Sequence, residues 1–167
     1  MRIHIISTVL FLWMISLPAT ANKNEKAATN LAKRIIPEVA DKIRFEQLSE
    51  NEKKDFFELE SLEGKIVVRG NSANSMAVGL NHYYCKTSVS WYLNDPVELP
   101  DILPVIPQKV SIEARMDNRF FLNYCTFGYT MPWWQWEDWE RLIDWMALNG
   151  INLPLAITGQ EVVWYKV

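Results

Sequence analysis

Between Asn24 and Ile36 the apolar residues Ala28, Leu31, Ala32, Ile35 and Ile36 recur every three or four positions. That spacing is the stripe of an amphipathic helix, and Pro37 ends or kinks it. Ile43-Arg44-Phe45-Glu46 alternates and predicts a strand. Asp55 to Leu62 and Lys65 to Arg69 predict two more, with Glu63-Gly64 as the hairpin turn between them. After Gly70-Asn71-Ser72 the run Ala73, Met76, Ala77, Leu80, Tyr83 and Tyr84 returns to helical spacing, with Ser72 or Asn74 as N-cap. Val89 to Leu93 predicts a further short strand. Residues 22–94 therefore read as a small α+β domain. Pro96, Pro100, Pro104 and Pro107 then follow one another closely. Such a run excludes both helix and central strand, so residues 95–110 read as a stiff, extended linker.

Past the linker the grammar changes to α/β. Phe120 to Thr126 predicts a strand, with Phe121, Asn123 and Cys125 on one face and Phe120, Leu122 and Tyr124 on the other. A helix is expected from about Trp134 to Leu148, with Trp139, Leu142, Ile143, Met146 and Ala147 as its buried stripe and Asn149-Gly150 as its stop. Ile151 to Ile157 is a short apolar run of the kind covered on both faces. Strand, helix and strand make a βαβ unit with parallel strands. Two strands and one helix cannot cover both faces of their sheet, so residues 111–167 read as the start of a larger, truncated α/β domain.

The amino terminus is an address. Arg2, the apolar stretch Ile3 to Leu17 and Ala19-Thr20-Ala21 fit a secretory signal peptide, residues 1–21, cleaved after Ala21. A membrane anchor is the competing reading, but the run is too short to span a bilayer and Pro18 closes it. The expected location is secreted or periplasmic, with no membrane span in the remaining chain. That compartment permits a Cys85–Cys125 disulfide. No Asn begins an Asn-x-Ser/Thr acceptor, which favours a bacterial exported protein over a glycosylated lysosomal one.

Composition narrows the chemistry. A net charge of -3 offers no basic field for nucleic acid. Two cysteines exclude a disulfide scaffold, and His82 is the one histidine after the leader, so no metal constellation arises. His82 itself reads as a surface or satisfied core residue. No phosphate-binding glycine loop follows a strand and no serine nucleophile elbow occurs, so no cofactor is expected and carboxylate chemistry is the main enzymatic option. Of the eight tryptophans, six fall between Trp133 and Trp164.

In parallel α/β folds function gathers at the C-terminal ends of strands. Here that rule selects Asn123, Cys125 and Tyr129 after the first strand and Thr158-Gly159-Gln160-Glu161 after the second, with Trp133, Trp134 and Trp136 beside them. Aromatic faces with amide side chains suit a sugar, whose ring faces are apolar and whose rim carries hydroxyls. Each candidate also has a plain structural reading. Trp139 and Trp145 read as packing residues, Cys125 as a small buried hydrophobe, Asn149 as a helix cap and Glu161 as a solvated loop residue or a site residue.

Asn123-Tyr-Cys125-Thr126, Tyr129, Trp133-Trp134, Trp136, Trp139-Glu140, the run Ile143 to Leu153 and Gly159-Gln160-Glu161 together resemble the start of the catalytic domain of the alpha-N-acetylglucosaminidase family of glycoside hydrolases. Val67-Val68-Arg69-Gly70 and Gly79-Leu80-x-x-Tyr83 are similar to that family's small N-terminal domain. The pattern departs at Phe127-Gly128 and at Pro154. The resemblance implies a (β/α)₈ TIM barrel whose first βαβ unit alone is present. It also implies removal of terminal alpha-linked N-acetylglucosamine from glycans such as heparan sulfate, with retention of configuration. Retention needs two carboxyl groups about 5 to 5.5 Å apart. In the family these are glutamates on later strands, so no catalytic residue is assigned here and the isolated chain is expected to be inactive. The substrate-binding residues the resemblance implies are Asn123, Cys125, Tyr129, Trp134, Gln160 and Glu161. A pocket role for Cys125 argues against its pairing with Cys85. The alternative is a secreted, non-catalytic glycan-binding or interaction module.

Overall fold

The computed structural model describes residues 22–49, 54–86, 102–121, 131–155 and 165–166. The leader expected at 1–21, the strand expected at Val89–Leu93 and most of the strand expected at Phe120–Thr126 lie outside these.

Helix α1 (Lys23–Ile35) buries Ala28, Leu31 and Ala32, as its spacing predicts. Its start is a capping box: Asn22 accepts the Asn24 amide while Glu25 accepts the Asn22 amide. The other Glu25 oxygen accepts the Gln47 amide at 2.8 Å, tying the helix start to the end of strand β1 (Ile43–Gln47). Strands β2 (Phe56–Leu62) and β3 (Lys65–Gly70) form the hairpin expected at Glu63-Gly64. Both turn residues have positive φ, 52° and 75°, the geometry whose twist matches a two-residue hairpin. Helix α2 (Ala73–Lys86) is capped by Ser72, whose Oγ accepts the Ser75 amide at 3.0 Å. Of the two caps the sequence allowed, the structure uses Ser72.

The sheet order is β1-β3-β2-β4, with β1 parallel to β3 and the other pairs antiparallel. Its fourth strand is β4 (Val110–Glu113). Residues 111–113, expected in the second region, thus complete the sheet of the first. The described part of the proline-rich stretch, from residue 102 on, is laid against the fold rather than spanning a gap. Tyr83 donates its hydroxyl to the Pro104 carbonyl at 2.8 Å, the Ile106 amide donates to Ser61 Oγ, and Leu103 and Ile106 pack on the core.

Helices α1 and α2 cover one face of the sheet. Ile43, Phe45, Phe57, Leu59, Ile66 and Val68 meet Leu31, Met76 and Leu80 there in one apolar cluster. The opposite face carries ion pairs, Arg69 with Glu46 and Glu60, and Lys109 with Glu58. Val67 is fully buried beneath them. The alternation along each strand therefore encodes a two-layer unit with one polar sheet face.

Candidate functional site

The second region forms the expected βαβ unit. Strand β5 (Phe120–Phe121) pairs in parallel with β6 (Leu153–Pro154), and helix α3 (Trp136–Leu148) joins them. A 3-10 turn, Met131–Trp133, precedes the helix. Gly150, at φ 73°, closes α3: its amide reaches the Ala147 carbonyl and the Ile151 amide reaches the Met146 carbonyl, the paired bonds of a Schellman stop.

Helix α3 runs antiparallel to its two strands, so its N-terminus lies at the strands' C-terminal ends. That is the end at which α/β folds place chemistry. The aromatic group gathers there. Trp134 meets Trp139 edge to face at 5.0 Å, Met131 is buried, and Trp133 and Trp136 are 81% and 63% exposed. Of the residues expected to line a sugar pocket, Trp134 is the one described. Asn123, Cys125, Tyr129, Gln160 and Glu161 lie outside the described residues, as does the Cys125 partner of the disulfide considered above.

Two expectations for this unit need correction. Ile143, expected in the buried stripe, is 47% exposed, while Asp144 beside it is buried. The reason is that α3 packs on two sides. Trp145 lies 5.1 Å from the Phe121 ring on the strand side, and Ala147 and Leu148 join the core of the first region on the other. Asp144 belongs to that second side, where it accepts Arg34 Nε at 2.8 Å and the guanidinium's other arm at 2.6 Å. Its hydrogen bond to Asp144 raises the Arg34 pKa above the ordinary value, despite partial burial. Lastly, β6 is not covered on both faces among the described residues, since Leu153 and Pro154 are exposed. His82, by contrast, is partly buried with its ring 5.4 Å from Phe57, consistent with a packing role.

The other end of the unit, at the strands' N-terminal side, holds a cluster the sequence did not reveal. Arg119 precedes β5 and its guanidinium donates to the Asp55 carboxylate, to the Gly150 carbonyl and, at 2.8 Å, to the Met116 carbonyl. Asn152 accepts the Arg119 amide and donates to the Asp117 carbonyl. A cavity of about 340 Å³ lies under this cluster, lined by Phe57, Val78, Met116, Arg119 and Gly150 among others. It lies at the base of β5, at the far end from the tryptophans, and is not the sugar pocket expected from sequence. Among the described residues no group of three or more His, Cys, Asp and Glu side chains could hold a metal ion.

Known proteins fit this architecture in both halves. Residues 26–105 match the alpha-N-acetylglucosaminidase (NAGLU) N-terminal domain, and residues 119–167 match the tim-barrel domain of the same family. The chain is 42% identical over 106 residues to alpha-N-acetylglucosaminidase of Homo sapiens, an alignment covering 62% of this chain and 14% of that protein. It superposes on a family 89 glycoside hydrolase from Clostridium perfringens in complex with PUGNAc, with TM-score 0.79 and 35% identity. That superposition covers 84% of this chain and 17% of the other. A second structure of the Clostridium perfringens enzyme carries two Glu-to-Gln substitutions and holds its substrate, GlcNAc-alpha-1,4-galactose. It matches with TM-score 0.78 and 35% identity, over 84% of this chain and 16% of that one.

The chain belongs to the alpha-N-acetylglucosaminidase family.

Within that family of glycoside hydrolases it carries the small N-terminal unit and part of the TIM barrel, spanning about a seventh of the human relative. The barrel match begins at Arg119, the residue clamped at the base of β5. The tryptophan group thus lies toward the barrel's C-terminal face, where active sites of this fold are built, and the Arg119 cluster toward the face that serves stability.

Proposed function

We propose that this chain supplies one wall of the pocket in an exported enzyme that removes terminal alpha-linked N-acetylglucosamine from glycans such as heparan sulfate, with retention. The wall is assigned to Asn123 and Cys125, which follow β5 in sequence, with Tyr129, Trp134, Gln160 and Glu161 as further contributors. Amides and a phenol supply hydrogen bonds to the acetamido group and ring hydroxyls, while an indole stacks on the apolar sugar face. The observation that carries this reading is the parallel β5–α3–β6 unit with its aromatic group at the strands' C-terminal side.

The reaction further needs an acid/base and a nucleophile about 5 to 5.5 Å apart. In this reading both are glutamates outside residues 1–167, and the N-terminal 21 residues are a leader that sends the chain out of the cytoplasm. The purified 167-residue chain is therefore expected to release no phenol from an aryl alpha-N-acetylglucosaminide. Turnover above blank that co-purifies with the chain would show that the catalytic carboxylates are already within it.

A further inference from the structure

Among the described residues, strands β5 and β6 pair over two residues each, and β6 is exposed. A 13-residue helix is marginal by itself in water, and so is a two-stranded sheet. Two carbonyls, one at the end of α3 and one in the turn beyond it, are satisfied from outside the unit. Asn81 of α2 donates to the Leu148 carbonyl at 3.0 Å, and Asn74 of α2 donates to the Ile151 carbonyl at 3.1 Å. Between these two on the same helix face stands Val78, against which Gly150 packs so closely that an added Cβ would lie 3.0 Å from its Cγ2. Asp55 holds Arg119, and Arg34 holds Asp144.

Among the described residues, the sheet and two helices of the first unit are closed by bonds within residues 22–113, and Ala147 and Leu148 of α3 add to its core.

We propose that the N-terminal unit is a template: the face of α2 bearing Asn74, Val78 and Asn81, together with Asp55 and Arg34, is a docking surface for the first βα unit of the barrel. The dependence runs one way. Residues 119–155 are held in place by the template, and the template stands without them. This role does not depend on which glycan the enzyme takes, or on the glycosidase reading at all.

Amide hydrogen exchange on the whole chain tests the asymmetry without any sugar present. Asn81→Ala removes the bond to the Leu148 carbonyl, and Arg119→Ala removes the bond to Asp55 together with Arg119's bonds to Gly150 and Met116. With either substitution, exchange across 136–153 is expected to quicken by about tenfold or more, since each lost bond to a buried carbonyl raises the population of the opened unit. Protection in β1 and β3 is expected to stay within about twofold of the parent, because separately opening units exchange independently. Loss of protection in both regions together, or a chain that no longer folds with Asn81→Ala, would mean one cooperative core and overturn the proposal. Unchanged exchange in 136–153 with both substitutions would overturn it as well.

Discussion

At the scale of single residues, two positions show how closely the N-terminal unit is packed. Gly79 lies where α2 crosses the sheet, and a Cβ there would fall 2.9 Å from Val68 Cγ1 and 3.1 Å from the Phe57 ring. Both neighbours are buried core residues and cannot swing aside. Gly79→Ala is therefore expected to destabilise the chain by about 1–3 kcal/mol through overpacking, read as a lowered urea midpoint. A stability equal to or above the parent's would show that the sheet yields. Tyr83 gives a pH signature. Burial pushes its hydroxyl from 10.0 up to about 12, so the folded state resists its ionisation. A raised folded pKa contributes stability that is complete below the unfolded value near 10 and lost as pH climbs through 10 toward 12. Stability should fall across that alkaline window, and the fall should be shallower in Tyr83→Phe. Identical alkaline slopes for the two proteins would remove Tyr83 from the explanation. Glu63-Gly64 is the case where residue chemistry was fully legible in advance: two positive-φ positions between alternating strands admit a tight hairpin and little else.

At the scale of elements, what could be read in advance was what local spacing determines. The stripes of α1 and α2, the three strands β1 to β3 and the parallel βαβ unit all follow from periods of 3.6 and 2 within each segment. Strand order does not. That Val110–Glu113 crosses the proline-rich stretch to pair with β2 depends on long-range register, which no local period encodes. Asp144 was hidden for a related reason. A helix packed on two sides shows no single apolar stripe, and its second buried face is marked by a carboxylate whose partner, Arg34, sits in a different element. The Arg34–Asp144 pair is expected to link α1 to α3 with a coupling of about 1–2 kcal/mol, between that of an exposed ion pair and that of a buried hydrogen bond to a charged group, since Arg34 is part-exposed and Asp144 buried. A double-mutant cycle of Arg34→Ala and Asp144→Ala, followed by thermal unfolding, measures that coupling. Additive effects would reduce the pair to a surface contact of no consequence.

At the scale of the whole molecule, two ends of one βαβ unit have separate duties. Its base is bound through Arg119, Asn74, Asn81 and Arg34 to the two-layer unit, and its far end presents Trp133, Trp134 and Trp136. The family assignment was legible because the run Ile143 to Leu153 and the Asn123-Tyr-Cys125 triplet are specific words. The Arg119 cluster was not, because Asp55, Asn74 and Arg119 are scattered polar residues that only the fold brings together. The proposed pocket wall makes a demand that can be met or refused. Residues 22–155 of this chain can be exchanged for the corresponding segment of the Clostridium perfringens family 89 glycoside hydrolase, and the chimera assayed with an aryl alpha-N-acetylglucosaminide. Thermal unfolding of the same preparation reports folding separately. The account predicts a folded, active chimera whose kcat/KM falls by about a hundredfold or more with Asn123→Ala, the loss expected when a site hydrogen bond to the transition state is removed. A folded chimera without activity, or one indifferent to Asn123→Ala, would contradict it.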